Sequence, residues 1–231
     1  MERSTERMPV ERSMWFREEA DLDRHLRFIE RELRAGFELV ARIDRPAVAI
    51  FGSARIPSSH PWYELARETA AGFAREGFGI VTGGGPGIME AANRGAKEAG
   101  GLSVGLGIEL PHEQELNAWL DLSIEFKHFY ARKVCFVKAS EGFVAFPGGF
   151  GTTDELFEAL TLIQTGKVRQ FPVVLFGTEH WAPMVAWIRD SMLREGTIAA
   201  DDIDLLAVTD DPEAAVRAVV DPFRGVLGPG A

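Results

Sequence analysis

The segment Phe143 to Leu160, FVAFPGGFGTTDELFEAL, concentrates residue types that can do chemistry. An apolar run breaks at Pro147-Gly148-Gly149-Phe150-Gly151, and Thr152-Thr153-Asp154-Glu155 follows at the start of a helical pattern. Glycines let a backbone approach a ligand closely, and a helix N-terminus offers free N–H donors and a positive dipole end to an anion. A carboxylate one turn further on can act on whatever the anion carries. The same residues allow a plainer account. Thr152 and Glu155 match S/T-x-x-E, the capping box, in which both side chains satisfy backbone N–H groups.

Two further turns have the same character: Gly52-Ser53-Ala54-Arg55 and Gly83-Gly84-Gly85-Pro86-Gly87. One glycine-rich turn is often only a turn; three leading toward helices point to a phosphate. The P-loop pattern is absent, and in residues 83–88 the third glycine of G-x-G-x-x-G falls one place early. Glu109 stands at roughly the distance of a ribose ligand, which keeps a nicotinamide dinucleotide open as a ligand. Arg132-Lys133 reads either as a solvated surface pair or as an anion clamp, since a guanidinium bridges phosphate at two points. Near a helix N-terminus Glu155 is expected to stay ionised at neutral pH. An ionised carboxylate suits stabilising a developing cation or activating water, not donating a proton.

Other reactive types give little. His25, His60, His112, His128 and His180 have no zinc-ligand spacing, so no metal site is expected. Cys135 lies among Val134, Phe136 and Val137, as a core thiol would. No G-x-S-x-G nucleophile elbow occurs. No cofactor is called for.

The elements that must hold these turns follow from hydrophobic periodicity. From Phe16 to Arg42, apolar residues at 22, 26, 29, 33, 37 and 40 describe one helix face. Residues 1–45 therefore read as a tail and a helical arm that packs on the body or on a partner chain. Apolar runs at 47–53, 79–85, 102–108, 122–126, 142–146, 172–177 and 205–209 read as strands. Helical patterns at 62–77, 87–100, 129–140, 153–166, 181–196 and 212–223 fall between them. Solidly apolar strands alternating with helices predict an α/β, Rossmann-like, doubly wound parallel sheet over residues 46–223, with 224–231 as a tail.

The chain has 231 residues, a net charge of -10 and one cysteine. The acidity disfavours a nucleic-acid polymer. No apolar run approaches the roughly 20 residues of a membrane helix, the N-terminus lacks a signal-peptide core, and a single thiol suits the cytoplasm.

PGGFGTTDE resembles the PGGxGTxxE signature of the Lonely Guy family of cytokinin riboside 5′-monophosphate phosphoribohydrolases. GGGPGIMEAA resembles that family's other glycine motif, and FYARK its Arg-Lys segment at a matching interval. The resemblance covers residues 47 to 210. It implies a Rossmann-like fold, a homodimer or larger even assembly, and hydrolysis of the N-glycosidic bond of adenosine-type nucleoside 5′-monophosphates. Residue by residue it implies Arg132 and Glu155 as the catalytic pair. It implies substrate contacts by Arg132, Lys133, Gly148, Gly149, Phe150, Gly151, Thr152, Thr153 and Asp154, with Glu115 as a further contact. The glycine turns at Gly52, Ser53, Gly83, Gly84 and Gly85 complete the expected site. The N-terminal arm and the IELPHEQELN connection resemble the longer bacterial members, and Asp154 stands where short members often have Glu. Family members have also been labelled lysine decarboxylases, but nothing in the sequence marks a pyridoxal-phosphate lysine. A relative of this fold carries molybdenum cofactor without catalysis, so a non-catalytic carrier is the alternative.

Overall fold

A strand that is apolar at every residue must be covered on both faces. The computed structural model, which describes residues 19–110, 115–168 and 171–224, places the strands accordingly. Seven strands form one sheet: β1 (Ala47–Phe51), β2 (Gly79–Thr82), β3 (Ser103–Ile108), β4 (Leu122–Phe126), β5 (Gly142–Ala145), β6 (Val173–Phe176) and β7 (Leu206–Thr209). Every pairing is parallel, in the order β4-β3-β2-β1-β5-β6-β7. The inner strands β1, β2, β5 and β6 are buried throughout; the edge strands β4 and β7 are not.

Helices cover both faces. On one face α2 (Pro61–Arg75), α3 (Ile88–Glu98) and α7 (Pro212–Arg224) pack over Val48, Ile50, Ile80, Val144 and Val174. On the other, α1 (Glu19–Val40), α4 (Phe129–Ala139), α5 (Phe150–Gln164) and α6 (Thr178–Trp187) pack over Ala49, Phe51, Val81, Val104 and Val173. The chain winds outward from β1 to β4, then returns to place β5 against the other side of β1. That reversal opens a crevice at the carboxyl ends of β1 and β5, where open α/β sheets bind ligands.

Two helices start three residues away from where the periodicity puts them. Helix α5 begins at Phe150, three residues before the expected start. The helix expected over 181–196 starts earlier, at Thr178, and beyond Trp187 widens into π-helical Ile188–Leu193.

The N-terminal helix α1 packs on the body. Leu33, Leu39, Val40 and Ile43 join the core, while Leu22, Leu26 and Phe37 face outward. Gly36 permits the close approach: a Cβ there would lie 2.5 Å from Cys135 Sγ. Burial pushes the Cys135 thiol up to about 11, so it is a protonated core residue at neutral pH, not a nucleophile. Helix α1 also anchors the start of α4. Glu32 accepts from the Lys127 and His128 N–H groups and pairs with His128 Nδ1 at 2.6 Å. Residues 1–18, 111–114 (including His112) and 225–231 lie outside the described residues, and with them the expected tails. Among the described residues no helix is long and apolar enough to cross a membrane, and no cluster of three or more His, Cys, Asp or Glu is placed to hold a metal.

Candidate active site

A cleft of about 660 Å³ lies across the carboxyl ends of β1 to β4 and the N-terminus of α5. The three glycine turns form it and are tied to one another. Ser53 N–H donates to Pro147 O at 3.1 Å, and Ile88 N–H donates to Ser53 O at 3.2 Å. Gly87 sits at φ +69, and a Cβ there would come within 2.5 Å of Ser53 O, so only glycine closes this junction.

The turn at 83–85 carries Arg132. A Cβ at Gly83 would collide with the Arg132 guanidinium and lie 2.7 Å from Met89 Sδ. Arg132 Nε donates to Leu106 O at 2.7 Å, and the guanidinium lies 5.1 Å from the Phe136 ring centroid. These contacts hold the side chain across β2 and β3, with both Nη groups unbonded among the described residues. Burial lowers Arg132 from the usual arginine range, opposed by the Glu155 charge. It remains a cation, partly desolvated, near a single carboxylate.

The turn at 148–151 leads straight into α5. Gly149 is the N-cap, with no side-chain capping bond, and its carbonyl accepts from Thr152 N–H and Thr153 N–H at 3.0 Å each. The capping-box account is therefore overturned. Thr152 and Glu155 are the third and sixth residues of the helix, so neither can reach back to an N-cap of its own. Gly148 is small because a Cβ would strike the Thr152 hydroxyl, whereas at Gly149 and Gly151 a Cβ would meet nothing within 4 Å. Neither of the latter has a positive φ.

Glu155 is 4% exposed, lines the cleft, and leaves Oε2 without a hydrogen-bond partner. The expectation that it stays ionised is corrected. Burial pushes it up to about 7, with Arg132 and then Lys133 pulling it down. The reason is its place past the first turn, beyond the free N–H groups that would have favoured its charge. A buried, unpaired carboxyl near neutrality can give or take a proton where water can reach it.

Of the expected residues, Gly52, Ser53, Gly83, Gly85, Arg132, Gly149, Phe150, Gly151, Thr152 and Glu155 line the cleft. Lys133 turns away, donates to Asp154 Oδ1 at 2.9 Å and forms an ion pair with Glu158 Oε2 at 2.8 Å, so its charge and that of Asp154 serve each other. Thr153 returns its hydroxyl to Phe150 O at 3.1 Å. Glu115 is exposed outside the cleft. Gly84 and Gly148 lie behind the lining and shape it.

A family model described as "Possible lysine decarboxylase" matches residues 89–219, more than half of the chain. A Mycobacterium tuberculosis protein named cytokinin riboside 5′-monophosphate phosphoribohydrolase is 31% identical over 173 residues, covering 74% of this chain and 91% of its own length. The chain belongs to the Lonely Guy family. A Rhodococcoides fascians protein of the same name is 28% identical over 187 residues, 79% of this chain and 93% of that one. The Lonely Guy chain also shares its architecture with the molybdenum cofactor carrier protein of Chlamydomonas reinhardtii, at 27% identity and TM-score 0.56, over 77% of this chain and 97% of that one. Among the described residues no lysine lines the Lonely Guy cleft, and Lys133 is held by two carboxylates.

Three cleft features escaped the motifs. Arg55 lines the cleft beyond Ser53: its backbone N–H donates to Ser53 Oγ at 3.1 Å, and its guanidinium has no hydrogen bond or ion pair among the described residues. Glu125, on β4, lines its far end. Asn117 locks the 83–85 turn from outside: its N–H donates to Gly84 O at 2.7 Å, and its Nδ2 reaches Gly84 O and Gly85 O at 3.0 Å and Asn93 Oδ1 at 2.9 Å. Buried Asn93 in turn bonds Thr82 and Ser103. Only polarity inside an apolar context, at Asn93 and Asn117, gave any local hint of this.

Proposed function

We propose that the chain hydrolyses the N-glycosidic bond of adenosine-type nucleoside 5′-monophosphates, releasing free base and ribose 5-phosphate. The observation that carries this reading is Glu155: a buried, unpaired carboxyl facing Arg132 across a cleft that ends in an anion cradle. The naming of the Mycobacterium tuberculosis and Rhodococcoides fascians relatives as phosphoribohydrolases supports it.

The N–H groups of Phe150 and Gly151, at the start of α5, and the Thr152 hydroxyl receive the phosphate, with Arg55 as counter-charge. Binding energy from this non-reacting end fixes the ribose. The C1′–N bond breaks with its electron pair leaving on the base, and positive charge develops on the ribose ring. The ionised form of Glu155 faces that charge and accepts a proton from the water that adds to C1′, as glycosidase carboxylates do. The departing base takes its proton from water in the open cleft. Arg132 holds Glu155 and the nucleotide in register.

Lys133, Thr153 and Asp154 enter this reading as support for the α4–α5 contact, and Glu115 as an exposed residue next in sequence to the cleft-lining Leu116. The outward residues Leu22, Leu26 and Phe37 of α1, with Val134 of α4, form an exposed apolar face suited to a homodimer or larger even assembly. A cytoplasmic location goes with the same reading.

Incubation with AMP and with isopentenyladenosine monophosphate, followed by chromatography, tests the reaction. Free base from either supports it. The likeness to the Chlamydomonas reinhardtii carrier favours a second reading, binding without turnover. Tight nucleotide or cofactor binding with no base released from any monophosphate would establish that one instead.

A further inference from the structure

The polar groups of the cleft are not mixed along its length. At the β1 and β5 end stand Arg55 and the α5 N-terminus; over β2 and β3 stands Arg132, facing Glu155. Beyond them, at the ends of β3 and β4, the wall becomes apolar at Ile108, Leu110 and Leu116 and, among the described residues, carries one charge, Glu125. Strands lie about 4.8 Å apart, so from β1 to β4 the cleft runs roughly 14 Å. That exceeds a sugar phosphate and accommodates a base beyond it.

Glu125 is held ready there. It pairs in register with Gly107 on β3, and a Cβ at Gly107 would meet Glu125 Cγ at 3.1 Å and Leu116 Cδ2 at 2.9 Å. Glycine at 107 thus leaves the Glu125 stem lying across β3 beside Leu116. The adjacent cation Lys127 is taken by Glu109 at 3.5 Å. Glu125 is exposed on the edge strand, and among the described residues its carboxylate has neither a hydrogen bond nor an ion pair, so its protein surroundings leave it open to a ligand. A carboxylate accepts hydrogen bonds and donates none, so a ligand that displaces water from this apolar-walled end meets Glu125 best with an N–H donor.

We infer that Glu125 is a specificity-determining residue that accepts a hydrogen bond from the exocyclic N–H of the base, against the apolar wall of Ile108 and Leu116. This rests on the nucleotide-hydrolase reading. The cleft thereby selects at both ends: an anion at the α5 N-terminus, an N–H donor at β4. Substrates that keep one N–H on the exocyclic nitrogen are accepted, and those that lose both are rejected, because the carboxylate then faces an apolar group with no donor.

The test is a cycle between substrate and enzyme. AMP, N6-methyl-AMP and N6,N6-dimethyl-AMP are offered to the wild-type chain and to Glu125→Leu and Glu125→Gln, and kcat/KM is measured for each. The wild type is expected to process AMP and N6-methyl-AMP comparably and the dimethyl nucleotide at least roughly tenfold less well. In Glu125→Leu the difference should vanish, AMP falling to the dimethyl level. Glu125→Gln keeps an acceptor oxygen without the charge and should retain part of the preference. Equal use of all three nucleotides by the wild type overturns the inference, and so does a dimethyl penalty that persists unchanged in Glu125→Leu, which is then steric. Base release from none of the three, with nucleotide bound, refutes the hydrolase reading itself and is distinct from both.

Discussion

The two richest glycine turns look alike in sequence and differ in what they are for. At 83–87 the protein itself demands three of the four glycines. Gly83 yields to Arg132 and Met89, Gly84 at φ +71 to Leu116, and Gly87 at φ +69 to the Ser53 and Ala54 carbonyls. At 148–151 only Gly148 is explained by a neighbour, Thr152. Gly149, the N-cap, and Gly151 stand in open space at the head of a helix, without positive φ, and at 151, inside the helix, alanine would favour it. The first turn is scaffolding that holds a cation. The second has no such internal demand at Gly149 and Gly151, and on the proposed function it is space left for a ligand. Counting glycines does not separate these cases; asking what an added Cβ would touch does.

The largest expected effect belongs to the helix that follows the second turn. Glu155→Gln keeps the shape and removes the charge, so base release should fall by two or more orders of magnitude, roughly 3 kcal/mol of barrier, with nucleotide binding intact. In the wild type, kcat/KM should rise with pH up to about 7 and level off above it, since the ionised form works. A rate that instead falls above 7 assigns Glu155 the acid role. Full turnover by the Gln variant would return the second turn to plain structure.

Stability should report the same burial. Glu155 is raised from 4.5 to about 7, so between those values the folded state holds the extra proton and stability falls as pH rises. At about 1.4 kcal/mol per unit, over roughly 2.5 units, the loss approaches about 3.5 kcal/mol above pH 7. Glu155→Gln escapes it, and denaturant titrations should find the variant more stable than wild type at pH 8 and equal to it at pH 4. Equal stability at both would mean that the carboxyl is solvated.

Within the first turn, Gly83→Ala tests the scaffold. Its Cβ meets the ends of two flexible side chains, so the fold should survive. The guanidinium must move, however, and turnover should drop tenfold to a hundredfold with little change in melting temperature. Unaltered kinetics would remove Arg132 from the site.

The smallest effect separates the turns most cleanly. Gly151→Ala adds a methyl where the protein has nothing within 4 Å. Calorimetry should show stability unchanged or raised, by up to about 1 kcal/mol. Titration should show nucleotide affinity reduced about tenfold and nucleoside affinity unaffected. A loss of stability without a loss of affinity would make the second turn scaffolding like the first.

The order of strands and helices was legible in the sequence because it rests on local periodicity. Runs such as AVAIF and FVAF are buried on both faces wherever they lie, and helical spacing between them forces a parallel, doubly wound sheet. The turns that form the cleft were legible for the same reason: glycine at a strand end is a local signal. Tertiary structure alone decided which residues face the cleft and in what state. Lys133, adjacent to Arg132, was drawn off by Asp154 and Glu158, because consecutive helix residues point in different directions and a partner helix lay on one side only. Glu155 lost its capping role when α5 started at Phe150, and burial by distant strands raised its proton affinity. Arg55, Asn117 and Glu125 carry no motif; they matter through neighbours 30 or more residues away, or through the cleft those neighbours enclose. Burial and charge proximity are sums over the whole fold, and no short window of sequence contains them.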